Sequence, residues 1–477
     1  MDELIIRNGS VIDGLTPART TRTIAVSGSR IHPLEQLDNP DTADTIDAEH
    51  LVVAPGFIDV HTHDDRLVMS DPTMTPKVSQ GVTTVITGNC GVSLAPLCGV
   101  EPPPPLNLLG DSNDFRYSTM LEYRDAVERF PPAINLAMQV GHSTLRAATM
   151  DDLERPATAD EIGRMGELLD AAMAAGAIGM STGLAYAPAA HAPTEEVIAL
   201  VSRLKAHNGI HTTHMRNEEG AVLESVEETI RIGKEADVPV VISHHKAGGK
   251  ANWGKTRETL RRISEAQQVQ SLNLDVYPYI ASSTVLMAEY IERAERIIVT
   301  WSKSHPEMNG RDLAEIAGEW GMDLFAAADK LQPAGAIYFQ MHEDDLQRVL
   351  QFPDAMIGSD GLPHDEVPHP RLWGTFPRVL GHYCRDLGLF TLEEAVRRMT
   401  SVPAKVFGLR DRGIIRQGAI ADLVIFDPRT IIDSATFESS KVPAEGIHTV
   451  IVGGEIVWQN GKPTGRRPGQ VLERVVM

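Results

Sequence analysis

The segment Gly56-Phe57-Ile58-Asp59-Val60-His61-Thr62-His63 is a short apolar run that ends in two histidines placed two residues apart. Short apolar runs of this kind indicate buried β-strands. Seven more occur along the chain, at residues 82–86, 134–138, 177–180, 210–214, 238–242, 272–276 and 355–358. Helical stretches separate them, among others at residues 158–175, 194–208 and 222–236. This alternation predicts an α/β fold built on a (β/α)₈ TIM-type barrel.

The regions outside the barrel have a different pattern. Near both ends of the chain, short apolar runs alternate with turn residues, which is typical of β-hairpins. We therefore predict a small β-sandwich domain built from both termini, residues 1–54 plus 408–477, around a barrel at residues 55–407. The interval between residues 276 and 355 is too long for one strand–helix unit. It predicts an inserted subdomain or lid at residues 285–345.

Composition narrows the class of partner and the compartment. The 477 residues carry a formal net charge of −21, which argues against nucleic acid and membrane as partners but does not exclude a small-molecule substrate. The chain has 3 cysteines, too few for a disulfide framework. The first residues lack the pattern of a signal peptide, and no apolar stretch is long enough to span a membrane. We expect a cytoplasmic protein; the oligomeric state stays open.

Polar residues of metal-ligand type directly follow several of the predicted strands. They are His61, His63, Cys90, His214, His244 and Asp360. Because the carboxyl ends of barrel strands meet at one rim, these side chains are expected to lie together. Side chains alternate along a strand, so His244 and Lys246 share the inward face and His245 does not. The sequence therefore predicts a metal site with Lys246 beside it.

Several motifs resemble those of a known family. Residues 54–63 and 418–427 are similar to the opening and closing segments of the amidohydrolase superfamily barrel. More specific motifs are similar to the N-acyl-D-amino-acid deacylases, or D-aminoacylases; they lie at residues 81–91, 181–186, 214–218, 243–246 and 358–361. The resemblance extends over essentially the whole chain. It implies hydrolysis of the amide bond of an N-acyl-D-amino acid, and the D preference rests on the resemblance alone.

The resemblance also implies a ligand set. Cys90, His214 and His244 would hold one tight Zn²⁺, and His61, His63 and Asp360 would line a second, weaker position whose occupancy stays open. Many two-metal amidohydrolases use a carboxylated lysine, but this chain has no lysine between Lys77 and Lys205. Cys90 is the available replacement. The absence of a lysine between Lys77 and Lys205 argues against one alternative, a cyclic-amide hydrolase similar to dihydropyrimidinases. A second alternative is a non-catalytic barrel scaffold, which would normally have lost some of these ligands.

The resemblance assigns roles around the metal as well. Asp360 would accept a proton from the attacking water and return it to the leaving amine nitrogen. The substrate carboxylate would bind Lys246, helped by Tyr186, Ser283 and either Tyr277 or Tyr279. For the substrate side chain, Ile298 in the predicted insertion favours an apolar group. Arg378 and Arg296 are cations that would instead favour an N-acyl-D-glutamate or N-acyl-D-aspartate deacylase.

Overall fold

All eight predicted apolar runs form strands of one parallel barrel in the computed structural model, which describes residues 3–475. In chain order the barrel strands are Phe57–Asp59, Val82–Thr87, Asn135–Gly141, Gly179–Gly183, Ile210–His214, Val240–Ile242, Leu272–Val276 and Met356–Ile357. Each pairs in parallel with the next, and a bridge between Thr62 and Gly361 joins the eighth strand to the first. The predicted barrel is confirmed.

The barrel interior is filled by aliphatic side chains at the end where the strands begin. Ile58, Ile86, Ile210, Val241 and Met356 are buried in one cluster there. This cluster packs against the helix Ser401–Phe407. The amino end of the barrel is therefore a sealed core, and the polar residues predicted for the site lie at the opposite, carboxyl end.

Helices surround the barrel, and their ends follow from local sequence. Thr158 and Glu161 form a capping box at the start of the helix Ala159–Ala174. The longer helices outside the insertion are Met120–Arg129, His142–Thr149, Ala159–Ala174, Thr194–Arg203, Val222–Ala236, Thr256–Ala266, Glu343–Gln351, Arg371–Arg378, Leu392–Met399 and Ser401–Phe407. Shorter ones are Leu67–Ser70, Thr75–Val78 and Ala187–Ala190, and a π-helical stretch covers Val379–Asp386. Within residues 3–475, no helix has the length and apolar character needed to cross a membrane.

Strands from both ends of the chain pack into a β-sandwich, as predicted. One sheet contains, in spatial order, Arg30–His32, Ile24–Ser27, Glu3–Arg7 and Asp44–Asp47. The other contains Lys462–Pro463, Glu455–Gln459, Ile447–Val452, Leu423–Phe426, Val52–Pro55, Ser10–Val11 and Thr20–Thr21. Ile6, Val26, Val53 and Ile425 are buried together between the sheets. The strand Val471–Leu472 pairs instead with the third barrel strand.

The inserted segment forms a unit with its own core. It contains the antiparallel strands Ala281–Val285, Ala334–Phe339 and Arg296–Ser302. Its helices are Ala288–Ile291, Leu313–Trp320 and Leu324–Leu331, and they bury a separate apolar cluster against the sheet. The first strand begins at Ala281, before the predicted start at 285, and the domain boundaries stay a prediction. A second excursion from the barrel is closed at its base by pairing of Leu97–Cys98 with Arg116–Tyr117.

Candidate metal centre and substrate cavity

The six residues predicted as metal ligands lie together at the carboxyl end of the barrel. They form two overlapping groups, within each of which the ligand atoms all lie inside 4.8 Å of one another. One group is His61, His63, Cys90 and Asp360, and the other is Cys90, His214 and His244. All six side chains are buried. Cys90 belongs to both groups and therefore stands at the centre of the arrangement.

The Cys90 sulfur is surrounded by imidazole rings. Its Sγ lies 3.2 Å from Nε2 of His61 and 3.3 Å from Nε2 of His244. Burial opposes ionisation of the thiol, but the two histidines outweigh it and hold the pKa of Cys90 well below its usual range. A thiolate among neutral imidazoles is a donor set that Zn²⁺ prefers.

Three of these residues have a backbone conformation that L-amino acids rarely adopt. The φ angles of Cys90, His244 and Asp360 are +52°, +36° and +49°. Such conformations persist where the surrounding structure fixes them, and they are frequent at functional sites. Here the Asp360 amide donates to the His61 carbonyl at 2.8 Å, and the His244 amide donates to Oδ1 of Asp275 at 2.8 Å. The turns that end three barrel strands therefore aim these side chains at one point.

Carboxylates behind two of the rings orient them. Nδ1 of His61 lies 3.4 Å from Asp275 Oδ2, and Nδ1 of His244 lies 3.0 Å from Glu218 Oε1. If Nδ1 of His61 donates its proton to Asp275, Nε2 is left as the ligand atom on the Cys90 side. In His214, neither ring nitrogen has a hydrogen-bond partner among residues 3–475, although the ring is buried. A buried histidine without partners beside a thiolate fits a metal ligand.

Asp360 is held by an arginine that the sequence did not predict for the site. Oδ2 of Asp360 lies 2.9 Å from Nη2 of Arg371, which is fully buried, and Oδ1 lies 3.2 Å from Nε2 of His63. Burial opposes ionisation of Asp360, but Arg371 and the histidines hold its pKa well below the usual range. Arg371 begins a helix well beyond the eighth strand, and its sequence neighbours do not distinguish it from a surface arginine.

Lys246 lies beside His244, as the alternation of side chains predicts, but a second residue absent from the predicted site contacts it. Nζ of Lys246 lies 2.8 Å from Oε2 of Glu218 and 2.7 Å from Nδ1 of His244. Burial opposes ionisation of Glu218, yet Lys246 and the neighbouring histidines lower its pKa below the usual value. A signal for Glu218 existed, since it ends the motif at residues 214–218 that carries His214. His245 points elsewhere, with Nε2 2.7 Å from Thr259 Oγ1.

A cavity opens onto these residues, and the candidate substrate-binding residues Tyr186, Tyr277 and Ser283 line it. The Tyr277 hydroxyl and Ser283 Oγ are buried without a hydrogen-bond partner among the described residues. The Tyr186 hydroxyl lies 3.1 Å from Thr284 Oγ1. Tyr279, the alternative to Tyr277, does not line this cavity, and its hydroxyl lies 3.4 Å from Asp433 Oδ2.

Ile298 and Arg378 do not line this cavity, and their contact with the substrate side chain stays a prediction. Ile298 packs with Ala281 and Ile337 inside the inserted sheet. Arg378 donates to the Pro278 carbonyl at 2.9 Å and pairs with Asp433 at 3.1 Å. Which face of the inserted sheet Ile298 occupies depends on how the insertion packs on the barrel, and the local sequence carries no signal for that.

A buried lysine supports the floor of the site. Nζ of Lys77 lies 2.8 Å from Asp59 Oδ2, 2.8 Å from Ser359 Oγ and 3.3 Å from Asp64 Oδ2. Asp59 Oδ1 accepts a 2.8 Å hydrogen bond from the Ser359 amide. Lys77 is thus committed to a network under the first and eighth strands, directly before Asp360. In the sequence, Lys77 stands out only as the start of a lysine-free stretch.

A family model and three known enzymes are similar to this chain over most of its length. The model of the family described as "Amidohydrolase family" matches residues 44–294 and 254–458. A D-aminoacylase of Alcaligenes xylosoxydans xylosoxydans is 53% identical over 99% of this chain and 98% of its own length. An N-acyl-D-aspartate deacylase of the same organism is 46% identical over 98% and 95%, and its N-acyl-D-glutamate deacylase is 45% identical over 99% and 96%.

Solved structures of D-aminoacylase and of an N-acyl-D-glutamate deacylase also match this chain over nearly its whole length. A crystal structure of D-aminoacylase has 53% sequence identity and superposes with a TM-score of 0.96, covering 99% of both chains. A crystal structure of the N-acyl-D-glutamate deacylase of Bordetella bronchiseptica, complexed with zinc and a phosphonate inhibitor, has 44% identity and a TM-score of 0.93, again covering 99% of both chains. Another D-aminoacylase structure, with a TM-score of 0.96, addresses a binuclear metal centre.

Proposed function

Because this chain belongs to the amidohydrolase family, we propose that it hydrolyses the amide bond of linear N-acyl-D-amino acids to a carboxylate and a free D-amino acid. The observation that carries the proposal is one cavity that joins a thiolate–histidine cluster to a buried lysine, Lys246. The first could hold a hydrolytic metal, and the second could hold a carboxylate. The D configuration is taken from the three relatives, all named for D-amino-acid substrates.

The donor set fits Zn²⁺. Cys90, His214 and His244 offer one sulfur and two imidazoles, the soft and borderline ligands typical of zinc. The unpartnered nitrogens of His214 support this choice, since a buried imidazole needs a partner. His61, His63 and Asp360 would complete a second, weaker position that shares Cys90. When bound, zinc lowers the pKa of a water to about 7 and polarises a carbonyl oxygen.

Asp360 is proposed as the group that moves the proton. Arg371 holds Oδ2 at 2.9 Å, so Oδ1 is the oxygen that faces the two histidines and the cavity. As water attacks the amide carbon, Oδ1 accepts its proton and then donates it to the leaving nitrogen. An amine leaves poorly without that proton, so one carboxylate serves first as base and then as acid.

Lys246, Tyr277 and Ser283 are proposed to bind the substrate carboxylate. Tyr277 and Ser283 line the cavity and have hydroxyls without partners, and a charge-assisted bond to a carboxylate would satisfy them. Lys246 would turn its ammonium from Glu218 toward the substrate or share it between the two carboxylates. Before substrate binds, both carboxylate oxygens of Glu218 accept hydrogen bonds from Lys246.

The cavity favours a neutral side chain over an acidic one. Of the described residues that line it, Lys246 is the only lysine or arginine, and it is already paired with Glu218. An acidic side chain would require a further cation to offset the cost of its burial. The second candidate is an N-acyl-D-aspartate or N-acyl-D-glutamate deacylase, which the relatives at 46% and 45% identity support.

The proposal is tested by comparing a linear and a cyclic amide. Zinc-loaded enzyme is given N-acetyl-D-leucine, with amine release as the readout, and separately dihydrouracil, with ring opening followed by absorbance. We expect turnover of the linear substrate only. Ring opening without release of leucine would contradict the proposal and leave the metal assignment intact.

A further inference from the structure

The turn that carries Cys90 is held by a serine that does not itself line the cavity. Ser181 lies in the fourth barrel strand, Gly179–Gly183, and its side chain is buried. Its Oγ accepts a hydrogen bond from the Gly91 amide at 2.9 Å and donates one to the Gly88 carbonyl. Gly88 and Gly91 flank Asn89 and Cys90 in the chain. The hydroxyl therefore contacts the turn both before and after the candidate metal ligand.

The Ser181 hydroxyl occupies the position where such a turn is usually closed. A four-residue turn is often closed by a hydrogen bond from the amide of its fourth residue to the carbonyl of its first. In the turn Gly88–Gly91 the hydroxyl bridges these two groups, since a hydroxyl can accept and donate at once. The φ angles of Gly88, Cys90 and Gly91 are +75°, +52° and +76°. The bridge thus spans the backbone whose left-handed conformation aims the Cys90 sulfur.

The same strand approaches the turn at a second point. A Cβ atom on Gly183 would lie 2.1 Å from the carbonyl oxygen of Cys90, so only glycine fits there. Residues 181–186 form one of the motifs of the sequence, and the proposed function uses only Tyr186 among them. Ser181 and Gly183 are therefore a part of that motif whose contacts lead to Cys90.

Asn89 ties the same turn to two further strands. Its Nδ2 donates to the Ile86 carbonyl, in the second strand, at 2.9 Å, and its Oδ1 accepts from Gln139 Nε2, in the third strand, at 3.1 Å. Ser181 adds the fourth strand to these attachments. Because each contact is buried, the turn has little freedom to move relative to the barrel.

We propose that Ser181 is a positioning residue for Cys90. Its hydroxyl fixes the turn Gly88–Gly91 and so keeps the Cys90 sulfur beside His61 and His244, at 3.2 and 3.3 Å from their Nε2 atoms. The inference rests on the proposed function in one respect, that Cys90 binds the metal. Loss of the hydroxyl should let the turn close on itself and displace the sulfur, and the affinity for zinc should fall.

The first test measures zinc affinity by competition with a chromophoric chelator. Residues that orient a metal ligand typically contribute about 10–100-fold to affinity, and we expect a loss of that size in Ser181→Ala. Ser302→Ala is the matched control. Ser302 Oγ, buried in the insertion, likewise donates to a carbonyl, that of Leu331, at 2.6 Å and accepts from an amide, that of His305, at 3.0 Å. Both variants should lose stability, but only Ser181→Ala should lose zinc affinity.

A spectroscopic readout reports on the sulfur itself. Co²⁺ replaces zinc in the same site and gives a sulfur-to-metal charge-transfer absorption when a thiolate binds it. We expect this absorption to weaken or shift in Ser181→Ala and to be unchanged in Ser302→Ala. A general loss of stability would lower the melting temperature of a variant without changing the absorption of its folded, cobalt-loaded form.

A second pair of variants answers the question if Ser181→Ala does not fold. Threonine and valine have nearly the same shape, and only threonine has a hydroxyl. Ser181→Thr and Ser181→Val therefore add the same methyl group, and their difference reports on the hydroxyl. We expect Ser181→Thr to bind zinc at least about tenfold more tightly than Ser181→Val.

The outcomes separate this inference from the proposed function. Unchanged zinc affinity and cobalt absorption in Ser181→Ala, or equal affinities in the threonine and valine variants, would overturn the positioning role and leave the proposed function standing. Equal losses of affinity in Ser181→Ala and Ser302→Ala would overturn it as well. Unmodified enzyme whose cobalt form lacks the sulfur absorption would overturn both the positioning role and Cys90 as a ligand.

Discussion

Cys90, His244 and Asp360 share a left-handed backbone conformation, and each lies just past the end of a barrel strand. A conformation of this kind costs about 1–3 kcal/mol per residue. The fold retains this conformation at all three residues, and all three belong to the groups of candidate metal ligands. The chemistry of the site therefore depends on single residues whose side chains are aimed by their own backbone.

Replacing Asp360 by asparagine should leave the metal in place and remove most activity. The amide cannot accept and return a proton, so kcat for N-acetyl-D-leucine should fall by about 10²–10⁴-fold. Asp365→Asn, a change of the same kind at a buried aspartate outside the cavity, is the matched control and should keep kcat near the unmodified value. Near-normal turnover by Asp360→Asn with full metal content would remove this role from Asp360.

Cys90 should control metal affinity. Serine retains the size of the side chain but supplies a poor zinc ligand, so Cys90→Ser should lose most zinc on dialysis. Metal content measured by mass spectrometry gives the result directly. Cys98→Ser changes an exposed cysteine instead and should retain zinc. Equal zinc content in the two variants would show that Cys90 does not hold the metal.

Lys246→Met should raise KM about 10–100-fold for N-acetyl-D-leucine, because a charge-assisted hydrogen bond to the carboxylate is lost. N-acetyl-D-leucinamide has no carboxylate, so its kcat/KM should change little. Equal losses for the acid and the amide would mean that Lys246 acts on the structure of the site and not on the carboxylate.

At the scale of elements, the site is built from strand ends together with residues of the loops and of the insertion, which supplies Ser283. Strand ends contribute the ligands, whereas the segment after the eighth strand contributes Arg371 and the excursion at residues 97–117 contributes Leu108. The same segment after the eighth strand joins the barrel to the insertion, since the Val367 amide donates to the Thr300 carbonyl at 3.1 Å.

The segment after the eighth strand contains a buried aspartate, Asp365, whose titration should make the free energy of unfolding depend on pH. Burial raises the pKa of Asp365 to about 7, against an ordinary value near 3.8. An acid whose pKa is raised in the folded state favours unfolding increasingly as pH rises from about 4 to 7. Asp365→Asn removes that cost, so it should raise the melting temperature at pH 8 and have little effect at pH 4. A larger gain at the lower pH would contradict this assignment.

At the scale of the whole molecule, the barrel was predictable because each of its strands is a compact apolar run. The ligands were predictable for the same reason, since they directly follow those runs. For Glu218 the only sequence signal is its place in the motif at residues 214–218, and for Arg371 there is none, because the two reach the site from a loop and from a helix. Ile298 is buried with Ala281 and Ile337 in the inserted sheet, and its contact with the substrate side chain stays a prediction.

The most direct test of the central claim is amine release by zinc-loaded enzyme from matched N-acetyl-D- and N-acetyl-L-amino acids. Leucine, methionine, phenylalanine and glutamate serve as side chains, and kcat/KM is measured for all eight compounds. We predict turnover of the D series, with D-leucine, D-methionine and D-phenylalanine well above D-glutamate. Preference for D-glutamate would overturn the assignment of a neutral side chain, and equal or greater turnover of the L series would contradict the central claim.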